Sequence, residues 1–234
     1  TDIYCAGKDE TFAFLEDVKS YKDFDFEIIQ GEKAVLAGEN GAGKSTLLKI
    51  LAGVVPIDSG ERVTGHNVDI GYFSQTRMDI LTPHNTVLNE AYTAVKGNMS
   101  EEAVRTILGA FLFTGDDADK RVEILSGGEK SRLILAKLLI NPPNFLLLDE
   151  PTTHLDVDAV EALVTAVKAY EGTLVCISHD IYFVRSVANV VYEVKAGNVK
   201  KFQGSFDYYL EKRDDLTYGQ EIKQKVFSGH ARRD

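Results

Sequence analysis

The chain has 234 residues, 44% of them hydrophobic and 26% charged, which is the composition of a globular protein long enough to bury one substantial core. Its 36 acidic residues outnumber its 26 basic ones, for a net charge of -10; this argues against a general nucleic-acid binder, because neutralising phosphates needs a surplus of Lys and Arg. No apolar run approaches the roughly 20 residues of a membrane-spanning helix, the start has no charged-then-apolar secretory segment, and a cytosolic location is expected.

In chain order, Val35-Leu-Ala37 follows the turn Gln30-Gly-Glu32 and reads as a short buried strand. Ser45 to Leu51 reads as a helix with Leu47, Leu48, Ile50 and Leu51 turned inward. Asn67 to Phe73 reads as a second strand. The stretch from Thr76 to Leu125 is helical in character, with Ser100-Glu-Glu opening a helix that runs through Val104, Ile107 and Leu108.

From Gly128 the spacing of Leu133, Ala136, Leu139 and Ile140 predicts an amphipathic helix that Pro142 and Pro143 cut off. Phe145 to Asp149 reads as a buried strand, Asp158 to Tyr170 as helix, Thr173 to Ile177 as strand and Ile181 to Val187 as helix. This alternation implies a parallel α/β sheet. Val190 to Val194 and Val199 to Phe202, joined through Ala196-Gly-Asn198, are expected to form a hairpin. From Phe206 the chain is first aromatic and then charged, which predicts a helix fraying into a disordered end over 213–234. Of the two cysteines, Cys5 and Cys176, the second lies in an apolar run and is expected to be a reduced, buried thiol; neither is given a role.

Gly38-Glu39-Asn40-Gly41-Ala42-Gly43-Lys44-Ser45 fits G-x-x-x-x-G-K-[ST] and lies between a predicted strand and a predicted helix. Its small residues let backbone amides wrap phosphates, and the helix amino end favours their negative charge. Lys44 is placed to reach the β/γ-phosphates and Ser45 to ligate magnesium, with Thr46 beside them. Asp149 and Glu150 end a buried strand, where α/β sheets put their ligands. Asp149 is expected to hold magnesium through water, and Glu150 to polarise an attacking water. Ser126-Gly127-Gly128-Glu129 opens a helix with a capping serine and two glycines that permit close backbone approach.

With the other two motifs, Leu125-Ser-Gly-Gly-Glu129 resembles the signature of ABC-type ATPases. The resemblance runs from about Gly31 to Lys212 and implies a P-loop NTPase fold with an ABC-type core sheet and an inserted helical subdomain at about residues 76–140, within a domain spanning 1–212. It implies ATP hydrolysis with Mg2+. Ser126, Gly127 and Gly128 then act on the nucleotide of a second cassette in a head-to-tail dimer. Gln75 looks like the glutamine that helps organise magnesium and water, Leu155-Asp156 like the D-loop, and His179 like the switch histidine that contacts the γ-phosphate. An adenine-stacking aromatic is expected before the phosphate loop, with Phe12, Phe14 and Tyr21 among the candidates.

Glu150-Pro-Thr-Thr-His-Leu-Asp156 resembles the Glu-Pro-Thr-Asn-His-Leu-Asp run of ABC-F proteins, with Thr153 in place of the usual Asn. Leu125–Leu133, Tyr170–Thr173 and Gly204–Leu210 are most similar to the second cassette of that subfamily. Its members carry two cassettes in one chain and act at the ribosome, so the resemblance implies a second cassette and the ribosome as partners. The alternative is the cytosolic nucleotide-binding subunit of a membrane transporter, whose partner is a membrane domain.

Overall fold

Six strands make the main sheet in the order β5-β6-β7-β3-β8-β9, from β3 (Lys33–Ala37), β5 (Ile70–Ser74), β6 (Phe145–Asp149), β7 (Thr173–Ile177), β8 (Val190–Lys195) and β9 (Asn198–Gln203). The first five are parallel; β9 returns antiparallel to β8 as the expected hairpin. The computed structural model describes residues 3–6, 25–57, 60–74, 80–195 and 197–213. Within those residues a second, three-stranded antiparallel sheet forms in the order β2-β1-β4, from β1 (Ile3–Ala6), β2 (Asp25–Ile28) and β4 (Glu61–Thr64). Sequence reading did not find it, because Glu61-Arg-Val-Thr64 is mostly exposed and lacks the apolar run of a central strand.

The strands β3, β6 and β7 are apolar almost throughout because both faces of the sheet are covered. Successive side chains point to opposite faces. Val35, Leu146, Leu148, Leu174 and Cys176 pack toward the helices α4 (Gly127–Ile140), α5 (Val157–Ala169) and α6 (Ile181–Val187). Leu36, Phe145, Leu147, Val175 and Ile177 pack toward α1 (Lys44–Leu51), together with Phe26 and Ile28 of the small sheet. Cys176 is a free, fully buried thiol, and burial pushes its pKa up to about 12, which makes it unreactive near neutral pH.

Between β5 and β6 the chain forms α2 (Val87–Tyr92), α3 (Glu101–Ala110) and α4, joined by two short 3-10 turns at Gly115–Asp119 and Val122–Ile124. Their apolar residues Val87, Ala91, Val104, Leu108, Phe111 and Leu133 extend the core cluster that covers the α4 face of the sheet. Each begins at a side-chain cap: Thr86 accepts from Asn89 N and Ser100 from Ala103 N. At α4 a capping box forms, with Glu129 N donating to Ser126 Oγ and Ser126 N donating to Glu129 Oε2. Glu90 is 1% exposed and forms an ion pair with Lys137 of α4, while Asn85 Nδ2 donates to its other oxygen at 2.8 Å. Residues 206–213 are helical, as expected, and Phe206 and Tyr209 reach the core. The expected frayed end lies, from residue 214 onward, outside the described residues. Among the described residues no helix is long and apolar enough to cross a membrane.

Candidate active site

Parallel strands deliver their carboxyl ends to one edge of the sheet, so the residues that follow β3, β6 and β7 meet there. The loop after β3 wraps from Gly38 to Gly43, with Ala42 N donating to Glu39 O at 3.2 Å and Gly43 acting as the N-cap of α1. Lys44, the first residue of α1, is 8% exposed and folds its side chain back across the loop. Its Nζ donates to Gly38 O at 2.8 Å and to Glu39 O at 2.9 Å. Burial lowers the Lys44 pKa, and the charges of Glu150 and Asp149 counteract that shift.

Gly38 is fixed by sterics as well as by conformation. At φ 149°, a Cβ on it would lie 2.2 Å from Val194 O of β8. The loop after β3 therefore leans on the neighbouring strand through bare backbone. Gly38→Ala is expected to cost about 1–3 kcal/mol and to weaken nucleotide binding; a melting curve and a nucleotide titration superimposable on the parental ones would refute this packing argument.

Ser45 Oγ, one residue further on, donates to Asp149 Oδ1 at 3.3 Å. Burial raises the Asp149 pKa, opposed by hydrogen bonds from Ser45 and Tyr72 and by the charges of Lys49 and Lys44. Tyr72 on β5, which packs in the same cluster as Leu147, was not singled out from the sequence; as one ring in an apolar strand it carried no signal. Glu150 follows at φ 52°, a left-handed conformation that costs a non-glycine residue on the order of 1–3 kcal/mol. It is anchored by its N–H donating to Ile177 O at 2.9 Å. Its carboxylate faces the loop after β7, with His179 N donating to Oε2 at 3.3 Å and His179 Nε2 lying 3.4 Å from Oε1.

Lys44, Ser45, Asp149, Glu150 and His179 are therefore gathered at one edge. Gln75 lies outside the described residues, although Ser74 before it is paired with Asp149 at the same edge. Phe12, Phe14 and Tyr21 also lie outside them.

Ser126 and Gly127 are exposed at the start of α4, and Gly128 packs so tightly that a Cβ on it would sit 2.8 Å from His154 O. His154 has φ 63°, Asp156 caps α5 by accepting from Ala159 N at 2.9 Å, and Arg132 of α4 pairs with Asp156 at 3.4 Å. The turn that opens α4 and the segment after Glu150 thus touch within this one chain. The cavity beside Asn144, Gly172 and Thr173 lies at the amino-terminal ends of β6 and β7, opposite these groups, and we assign it no part in the chemistry.

The ABC transporter family model matches residues 21–153, more than half of the chain. The chain belongs to that family. It carries an ABC ATPase cassette. A putative ATP-binding protein YdiF of Bacillus subtilis is 42% identical over 218 residues, which is 93% of this chain and 34% of that protein. ABC transporter F family member 5 of Arabidopsis thaliana is 40% identical over 209 residues, 89% of this chain and 30% of that protein. The chain thus spans about a third of the length of these curated relatives. The ATP-binding cassette MJ0796, in a dimeric post-hydrolysis state bound to ADP and Pi, has the same fold, with a TM-score of 0.66 and 23% identity over 86% of this chain and 98% of that one.

Proposed function

We propose that this cassette binds ATP with magnesium, closes head to tail on a second cassette around two nucleotides, and reopens after hydrolysis, and that its full-length parent uses this cycle at the ribosome, in the cytosol. The observation that carries the reading is the meeting of Lys44, Ser45, Asp149, Glu150 and His179 at the carboxyl edge of the sheet. The cassette proper takes residues 1–212, with the helical subdomain at about 76–140 and 213–234 as a C-terminal extension.

Magnesium suits the donor set. Ser45 Oγ and Asp149 Oδ1 are hard oxygen donors side by side, and such a site needs few protein ligands when phosphates and water supply the rest. Gln75 is assigned to the same ion and to the attacking water. Bound magnesium neutralises charge on the phosphate oxygens. The backbone amides of Gly38 to Thr46 cradle the phosphates, and Lys44 exchanges its contacts with the Gly38 and Glu39 carbonyls for the β/γ-phosphates. Glu150 orients the water and accepts its proton, and His179, beside that carboxylate, holds the γ-phosphate. Ser126, Gly127 and Gly128 complete the site of the partner cassette, which the exposed position of Ser126 and Gly127 at the amino end of α4 allows.

The ribosomal part rests on the Glu150–Asp156 run and on relatives named as F family members. A transporter motor would share the chemistry but bind a membrane domain. Co-sedimentation of the full-length parent with ribosomes separates the two. Retention with a slowly hydrolysed ATP analogue and release with ADP are expected; no nucleotide-dependent retention, with ATP binding intact, would remove the ribosome from the proposal.

A further inference from the structure

The two loops that carry Glu150 and His179 are joined by a pair of hydroxyls for which the proposed chemistry has no use. Thr152 is only 8% exposed, and its Oγ1 shares a hydrogen bond with Ser178 Oγ at 2.9 Å. Ser178 Oγ also accepts from Asp180 N at 3.0 Å, and Asp180 caps α6 by accepting from Phe183 N at 3.0 Å. The hydroxyl pair therefore ties the turn after β6 to the rigid start of α6. It lies beside two other links between the same loops, from Glu150 N to Ile177 O and from His179 N to Glu150 Oε2.

Such bracing has a specific purpose here. Glu150 holds a left-handed backbone conformation that a glutamate leaves readily unless its surroundings over-determine it. Its own side chain receives a bond from the switch loop, so a slip between the two loops would move the carboxylate and the imidazole together with the backbone. Because Thr152 is buried, breaking the contact leaves its hydroxyl short of a partner, which makes the contact costly to break.

We infer that Thr152 and Ser178 are positioning residues, whose hydroxyl pair locks the Glu150 loop to the His179 loop and sets the reach of both side chains toward the γ-phosphate and its attacking water. Neither touches the reacting atoms; they act through Glu150 and His179. This inference rests on the ATPase reading proposed above.

The test uses the full-length parent and its variants Thr152→Val, Thr152→Ser, Ser178→Ala and the Thr152→Val/Ser178→Ala double. ATP turnover, nucleotide affinity, melting temperature and amide exchange at Glu150 and His179 are measured for each. Thr152→Val and Ser178→Ala are each expected to lower kcat about 10-fold or more while KM and affinity move less than about two-fold. The double variant falls no further than the worse single variant, since one shared contact is lost either way. Thr152→Ser, which keeps the oxygen, recovers most of the rate. Exchange at Glu150 and His179 quickens in Thr152→Val and stays slow in Thr152→Ser. Parental kcat or parental exchange in Thr152→Val overturns the inference, as does a loss that appears equally in KM and melting temperature. Absence of turnover in the unsubstituted full-length parent sinks the ATPase reading instead, and amide exchange then decides the hydroxyl pair by itself.

Discussion

Glu150→Gln is expected to lower ATP turnover at least about 100-fold, the scale of a lost general base, while leaving nucleotide affinity within about two-fold. The amide keeps the size of the carboxylate and an oxygen that accepts from His179 N, so the left-handed turn at residue 150 and its bond to Ile177 O persist. What is lost is the negative charge that takes the proton from water. With binding intact and hydrolysis blocked, the closed pair of cassettes should accumulate. Phosphate release in a single turnover measures the first effect, and sedimentation velocity with ATP against ADP measures the second. Parental turnover in this variant would remove Glu150 from the role of base; lost turnover together with lost ATP binding would mean that the substitution had damaged the loop.

Lys137→Met is expected to destabilise the fold by about 3–5 kcal/mol, because it strands a buried carboxylate. Glu90 sits on α2 with 1% exposure, and Lys137 reaches it from α4. Burial pushes the Glu90 pKa up, but the hydrogen bonds from Lys137 and Asn85 and the Lys137 charge outweigh it, so the net shift is downward. A carboxyl whose folded pKa lies below its unfolded one stabilises the fold above the unfolded pKa and loses that contribution as pH falls through the folded one. The parental chain should therefore lose stability on acidification through the lower carboxylate range, and Lys137→Met should have little of that dependence left. Chemical denaturation at pH 7 and below pH 4 checks both statements. The double variant Glu90→Gln/Lys137→Met should recover much of the loss; if it is as unstable as Lys137→Met alone, packing and not charge is responsible.

Spacing was enough to place the loop between β3 and α1, because G-x-x-x-x-G-K-S between an apolar strand and an amphipathic helix is a local pattern with a local cause. The capped start of α4 was legible for the same reason: Ser126 and Glu129 meet within one helical turn. Two adjacent carboxylates after Phe145-Leu-Leu-Leu148 marked a strand end, and the parallel sheet followed from the alternation of elements. Boundaries drifted where exposed residues begin or end an element. The strand read from Asn67 begins at Ile70, since Asn67 turns at φ 61°, and the helix read from Asp158 begins at Val157 with Asp156 as its cap.

The sequence by itself thus determined where the strand, glycine-rich loop and helix around Lys44 lie, where α4 starts and which strands of the main sheet are buried, because each of those is written in patterns a few residues long. Tertiary structure decided everything that depends on residues distant in the chain. It set β3 between β7 and β8, brought Ser45 within 3.3 Å of Asp149 across 104 residues, and placed Tyr72 beside that carboxylate. It also turned Glu150 into a left-handed conformation toward His179 and paired the hydroxyls of Thr152 and Ser178. No local preference favours φ 52° at a glutamate; the surrounding hydrogen bonds offset its cost, and those partners come together only when the sheet has closed.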